Sequence, residues 1–146
     1  MDKPTRLDLA SIVYPDFALY WAKQLEVSVD SLTPLHGGIN NQVFSCGGGP
    51  KNSKRFVIKG YIPRGLTDRM LAEVQFLRYA LQVAPSYVPQ LLSQDDERRC
   101  IVLEYLDGQT YTAGLRPSEE DVIEACNESF SLISKNVKFL KNFLYQ

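Results

Sequence analysis

The segment Arg55-Phe56-Val57-Ile58-Lys59-Gly60-Tyr61 constrains this chain more than any other. Three β-prone residues lead directly into a lysine, and turn-rich sequence lies on either side, so the segment reads as a strand. Alternate residues of a strand face opposite ways. Lys59 therefore shares a face with Val57 and Tyr61, while Phe56 and Ile58 occupy the other. An ammonium beside a valine on a half-buried sheet either snorkels to solvent or meets an anion, because an unpaired buried charge is costly.

The surrounding sequence supplies the elements such a strand would pair and pack with. Pro15 to Gln24 reads as a short helix with Phe17, Tyr20 and Trp21 on one side. Val27 to Leu35 reads as a first strand after a loop. His36-Gly37-Gly38-Ile39-Asn40-Asn41-Gln42 then leads into Val43-Phe44-Ser45-Cys46, which is a hairpin signal. A glycine-rich turn, Gly47 to Lys54, precedes the lysine strand. After it, Gly65-Leu66-Thr67-Asp68 opens a helix to about Val83, with Met70, Val74, Leu77 and Leu81 as its apolar stripe. Thr67 or Asp68 can cap that helix. Glu73 sits at the edge of the stripe, where its carboxylate would face the sheet the helix packs on. Gln90 to Ser93 and Arg99 to Tyr105 flank a polar turn and predict a second hairpin. Ser118 starts a capping-box pattern, and the remainder reads as helical. The expected class is α+β: five mainly antiparallel strands, one helix inserted after the third, and C-terminal helices.

Composition narrows the setting. The 146 residues form most simply one folding unit with a net charge of −1, which offers no electrostatic footprint for nucleic acid or an anionic membrane. Cys46, Cys100 and Cys126 are odd in number and widely spaced, which fits a reducing cytoplasm rather than a disulfide framework or a zinc site. His36 is the only histidine and leaves little for Ser-His-Asp chemistry. The expectation is a soluble cytoplasmic protein.

That element order, with a glycine turn between the first two strands and a lysine in the third, resembles the N-terminal lobe of a protein-kinase-like fold. The residues resemble more narrowly the aminoglycoside phosphotransferase and choline kinase-like family. Gly37-Gly38-Ile39-Asn40-Asn41-Gln42-Val43-Phe44 is similar to its nucleotide loop, and Phe56-Val57-Ile58-Lys59 to its V-A-I-K strand. Ala72-Glu73-Val74 is similar to the helix whose glutamate pairs with that lysine, and Ile101 to Gly108 to the adenine-binding hinge. The resemblance implies ATP with Mg as cofactor, bound weakly or vestigially. Gly37, Gly38 and Asn40 would lie against the nucleotide, the glycines because a backbone without Cβ can approach phosphate closely. Lys59, held by Glu73, would contact the α- and β-phosphates. Val43, Val57 and Leu103 would line the adenine slot, with Leu103 as gatekeeper, and the main chain of Glu104 and Leu106 would bind the adenine edge. Taken singly, the three apolar residues serve equally as core, and Glu73 as a solvated helix-edge acid.

The resemblance covers residues 32 to 108 and implies a kinase-like lobe over 1–108, followed by a connector and helical segment over 109–146. The family's H-x-D catalytic loop and metal-binding acid have no counterpart in the sequence. The expectation is therefore an ATP-site lobe that does not transfer phosphate alone. Its phosphate acceptor (an aminoglycoside, choline, a sugar or another hydroxyl or amine compound) stays open. Phe130, Ile133, Val137, Leu140 and Leu144 form an apolar helical stripe that would need cover. Two alternatives follow from it: an interaction module dimerising through that helix, or one half of a split kinase completed by a second-lobe chain. The few lysines near the stripe argue against a membrane-lying helix.

Overall fold

The strand carrying Lys59 is the middle one of a five-stranded sheet. The computed structural model describes residues 13–35 and 41–108, with Ser118, Glu120, Ile123, Glu124 and Asn127 beyond them. Among these, β1 (Thr33–Pro34), β2 (Asn41–Gly47), β3 (Arg55–Tyr61), β4 (Leu91–Asp95) and β5 (Cys100–Glu104) lie in the order β1-β2-β3-β5-β4. Every neighbouring pair is antiparallel. Helix α1 (Asp16–Gln24) precedes the sheet, and helix α2 (Arg69–Val83) is inserted between β3 and β4. The class is α+β, as the sequence predicts. The C-terminal apolar stripe from Phe130 to Leu144 lies outside the described residues.

The two helices pack on opposite faces of the sheet, and strand alternation decides which residues each one meets. On one face Phe44, Cys46, Phe56, Ile58 and Val102 form a core with Ala18 and Ala22 of α1. On the other, Tyr61, Ile101 and Leu103 pack with Met70, Val74 and Leu77 of α2. Ile58 and Lys59 are chain neighbours and so belong to different cores.

The first-strand expectation over Val27 to Leu35 is corrected. Val29–Ser31 is a 3-10 turn, and only Thr33–Pro34 pairs with β2. Local hydrogen bonds compete with the ladder here: Ser28 Oγ accepts from Asp30 N, and Ser31 Oγ donates to Ser28 O at 2.6 Å. Past Pro34, Leu35 N still donates to Val43 O at 2.8 Å. The second hairpin turns later than its sequence suggests, because Gln94 and Asp95 still pair with Ile101 and Cys100.

Packing of α1 also differs from the aromatic side expected for it. Ala18 and Ala22 are fully buried, whereas Tyr20 stays exposed. Small side chains let the helix backbone approach the sheet, and Phe17 and Trp21 fill in around that contact. Gly60 completes the fit, since a Cβ there would run into the Phe17 ring. The stripe of α2 is as predicted through Met70, Val74 and Leu77, but Ala80 is buried more completely than Leu81. Asp68 caps the helix, its Oδ1 accepting from Leu71 N at 3.0 Å.

The turn between β4 and β5 fastens both helices. Asp95 accepts from Trp21 Nε1 at 3.1 Å and from the backbone and guanidinium of Arg98, which itself lies 3.6 Å over the Tyr20 ring. The next residue, Arg99, forks onto both oxygens of Asp68 at 2.8 and 3.1 Å. Arg99 adopts a left-handed backbone with φ of 53°.

Candidate functional site

Lys59 projects onto the α2 face from the centre of β3, flanked in register by Val43 on β2 and Ile101 on β5. One row along, Val57 lies between Ser45 and Leu103. Four residues singled out from sequence, Val43, Val57, Lys59 and Leu103, thus share one face. Helix α2 brings the fifth. Asp68 fixes where the helix starts, and the spacing from Met70 to Val74 sets Glu73 beside the buried stripe, over Lys59.

The resulting pair is close and chelated. Lys59 Nζ donates to Glu73 Oε2 at 2.7 Å and to Oε1 at 2.9 Å. The two side chains are 21% and 29% exposed, so solvent only partly screens them. Two of the three ammonium N–H groups are used in this way, which leaves a third for another acceptor. Tyr61 joins them: its hydroxyl donates to Glu73 Oε2 at 2.5 Å, and its ring lies 5.4 Å from the ammonium. Burial first, and then the hydrogen bond to Glu73 and its charge, push the Tyr61 phenol well above its ordinary range. It stays a donor at any physiological pH.

The remaining predicted residues sit elsewhere or are not described. Gly37, Gly38 and Asn40 lie outside the described residues. The Glu104 side chain falls on the face opposite Lys59, in register with Phe56, and its Oε2 accepts from Gln90 N at 3.3 Å. Its amide N–H is committed to Gln90 O at 3.0 Å, so its carbonyl is the main-chain group left to offer a ligand. Leu106 is exposed in the segment after β5.

Arg55 ties that segment to the sheet. Its guanidinium stacks 3.6 Å over the Tyr105 ring and pairs with Asp107 at 3.4 Å, and its carbonyl accepts from Tyr105 N. A cleft of about 490 Å³ opens at this end, lined by Phe56, Gln90, Leu92 and Glu104 among others. Phe56 and Glu104 face away from Lys59, so this cleft is separate from the Lys59 pair.

Three participants escaped the sequence reading. Tyr61 was placed on the correct face, but its hydroxyl contact with Glu73 depends on how far α2 leans over the strand. Arg55 reads as a strand-end charge. Asn41, opposite Tyr61 in register, holds a buried Oδ1 with no hydrogen-bond partner among the described residues. Its position directly after the Gly37–Asn40 loop was the available signal. Among the described residues no group of three or more His, Cys, Asp or Glu side chains could hold a metal ion. Glu73, the acid nearest Lys59, is already engaged by two partners.

Comparison with curated proteins returns no match. A family model, that of the phosphotransferase enzyme family, matches residues 31–133. The matched stretch begins before β1, includes Lys59, Glu73 and the Arg55-tied segment, and covers well over half of the 146 residues. By that match, this chain belongs to the phosphotransferase enzyme family.

Proposed function

We propose that this chain forms the ATP-site lobe of a small-molecule phosphotransferase, with a kinase-like N-terminal lobe over residues 1–108 that residues 109–146 follow. The observation that carries the reading is the chelated Lys59–Glu73 pair on the central strand. A lysine that only snorkelled from a strand would have no need of a carboxylate delivered by a separate helix. A lysine meant for phosphate does, because the pairing fixes its ammonium in place with an N–H to spare.

Val43, Val57 and Leu103 supply an apolar surface next to that cation, and Glu104 O and Leu106 N the edge hydrogen bonds for adenine. Gly37, Gly38 and Asn40, outside the described residues, are assigned to the phosphates by their resemblance to the family's nucleotide loop. Mg would arrive with the nucleotide rather than sit in a protein cage, in keeping with its habit of binding through phosphates. The sequence holds no H-x-D segment, so the function assigned to this chain is nucleotide binding, with transfer requiring groups it does not carry.

Isothermal titration of the full chain with ATP and Mg tests the reading. Binding should be weak, with Kd on the order of 0.1–1 mM, and Lys59→Ala should remove it. Absence of heat at millimolar ATP for the unsubstituted chain would sink the proposal.

A further inference from the structure

A lysine that serves a phosphate must divide its ammonium between the ligand and its own carboxylate partner. The more the ligand draws Lys59, the less Lys59 can hold Glu73. Glu73 is on the far end of a flexible side chain and partly exposed, so a second restraint decides whether it stays in place. Tyr61 supplies one. Its hydroxyl reaches Oε2, the oxygen also nearest to Lys59 Nζ. The residue is 6% exposed and packed among Met70, Val74 and Leu77. Its own amide donates to Arg99 O at 2.9 Å, so the strand end that carries it is fixed too.

We propose that Tyr61 is a positioning residue for the nucleotide phosphates, its buried hydroxyl pinning the Glu73 carboxylate to the sheet so that Lys59 can turn an N–H toward phosphate without losing its partner. The inference rests on the ATP-site reading above and assigns that site its third fixed member. Lys59 and Glu73 are then not an isolated pair, in which one partner's departure frees the other. Glu73 remains where it is through the binding event.

The test compares ATP with adenosine, because a pinned carboxylate matters only to a ligand that carries phosphate. Titration of Tyr61→Phe should give an ATP affinity about fivefold weaker, the scale of one hydrogen bond to a charged group acting indirectly, with adenosine affinity changed by less than about twofold. Equal losses for both ligands would mean that Tyr61 merely supports the fold, and no loss for ATP would mean that it pins nothing. Either result overturns the proposal. In a Glu73→Ala background, where Tyr61 has no carboxylate to hold, Tyr61→Phe should have little further effect on ATP, and an undiminished effect there also overturns it.

A separate readout needs no nucleotide. In nitrogen-15 NMR the Lys59 ammonium signal, identified by its loss in Lys59→Arg, should exchange with water slowly in the unsubstituted chain and markedly faster in Tyr61→Phe. Unchanged exchange would refute the pinning itself. If ATP fails to bind the unsubstituted chain while this signal responds as expected, the ATP-site reading falls and the restraint on Glu73 stands.

Discussion

On the face of the sheet under α1, Phe44, Phe56, Ile58 and Val102 meet two alanines of the helix, and the polar contacts around them, Trp21 to Asp95 and Tyr14 to the Leu32 carbonyl, are single hydrogen bonds. On the face under α2 the apolar contact is similar in kind, through Met70, Val74 and Leu77, but a lysine, a glutamate and a tyrosine hydroxyl are joined at its edge. One strand serves both faces with alternate residues, so a stabilising surface and a charged one are made from the same seven positions. The α1 face gains its stability from burial, which does not depend on direction. The α2 face spends some of its area on groups that must be aimed.

The contrast can be broken at two adjacent residues. Ile58 is fully buried under α1, so Ile58→Ala should lower stability by about 3 kcal/mol in urea unfolding and leave any nucleotide affinity of the folded fraction unchanged. Lys59→Met, one residue on, should cost only about 1 kcal/mol and abolish nucleotide binding. Similar losses of stability at both positions would erase the distinction.

Gly60→Ala should cost about 2 kcal/mol, because the new methyl meets the Phe17 ring and α1 must back away. Trp21 fluorescence should shift toward that of an exposed indole, with the α2 side unaffected.

A smaller effect, read as a rate, comes from the thiols. Burial pushes Cys46 up to about 11, and burial followed by the Asp95 charge does the same for Cys100. In a Cys126→Ser background both should stay unlabelled by a thiol reagent at pH 8 and react only as the sheet opens. Fast labelling of the native protein would contradict the packing described for this face.

The smallest effect belongs to the exposed clamp on α2. The hydrogen bonds from Arg99 and then from Leu71 hold Asp68 at about 2, below its ordinary 3.8. With its folded value depressed, the clamp contributes fully above roughly pH 4 and is lost as pH falls through about 2. Asp68→Asn should therefore flatten the fall of Tm between those limits, and an unchanged slope would remove Asp68 from the acid response.

How much of this was legible in the sequence depended on how local each cause was. The β3 strand, the Asp68 cap and the α2 stripe follow from neighbours within a few residues, and all three could be read directly. The Lys59–Glu73 contact was readable because a strand followed at once by a helix leaves few ways to pack, and period two put Lys59 on the helix side. The length of β1 was not, since it turned on whether Ser28 and Ser31 would bond their own backbone. Nor was the partner of Tyr61 or of Arg55, because each depends on register and helix tilt rather than on spacing. The alanine contact of α1 was hidden for a different reason: the eye goes to Phe17, Tyr20 and Trp21, while closeness of backbones is decided by the smallest residues.

The turn at Asp95–Arg99 has a consequence for how this chain can change length. Hairpin tips are ordinarily where insertions do least harm. Here two consecutive arginines at the tip reach to different helices, one over Tyr20 and the other onto Asp68. An added residue would rotate one arginine out of place whichever side of it was lengthened. The glycine turn from Gly47 to Lys54 is held at its ends, where Gly47 N donates to Ser31 Oγ and Asn52 Nδ2 to Leu25 O, but nothing within 4 Å stands where a side chain on Gly49 would go. Loop grafts, tags or reporter peptides belong at Gly49 rather than at the bonded ends of the glycine turn, and the shorter tip should be left at its present length.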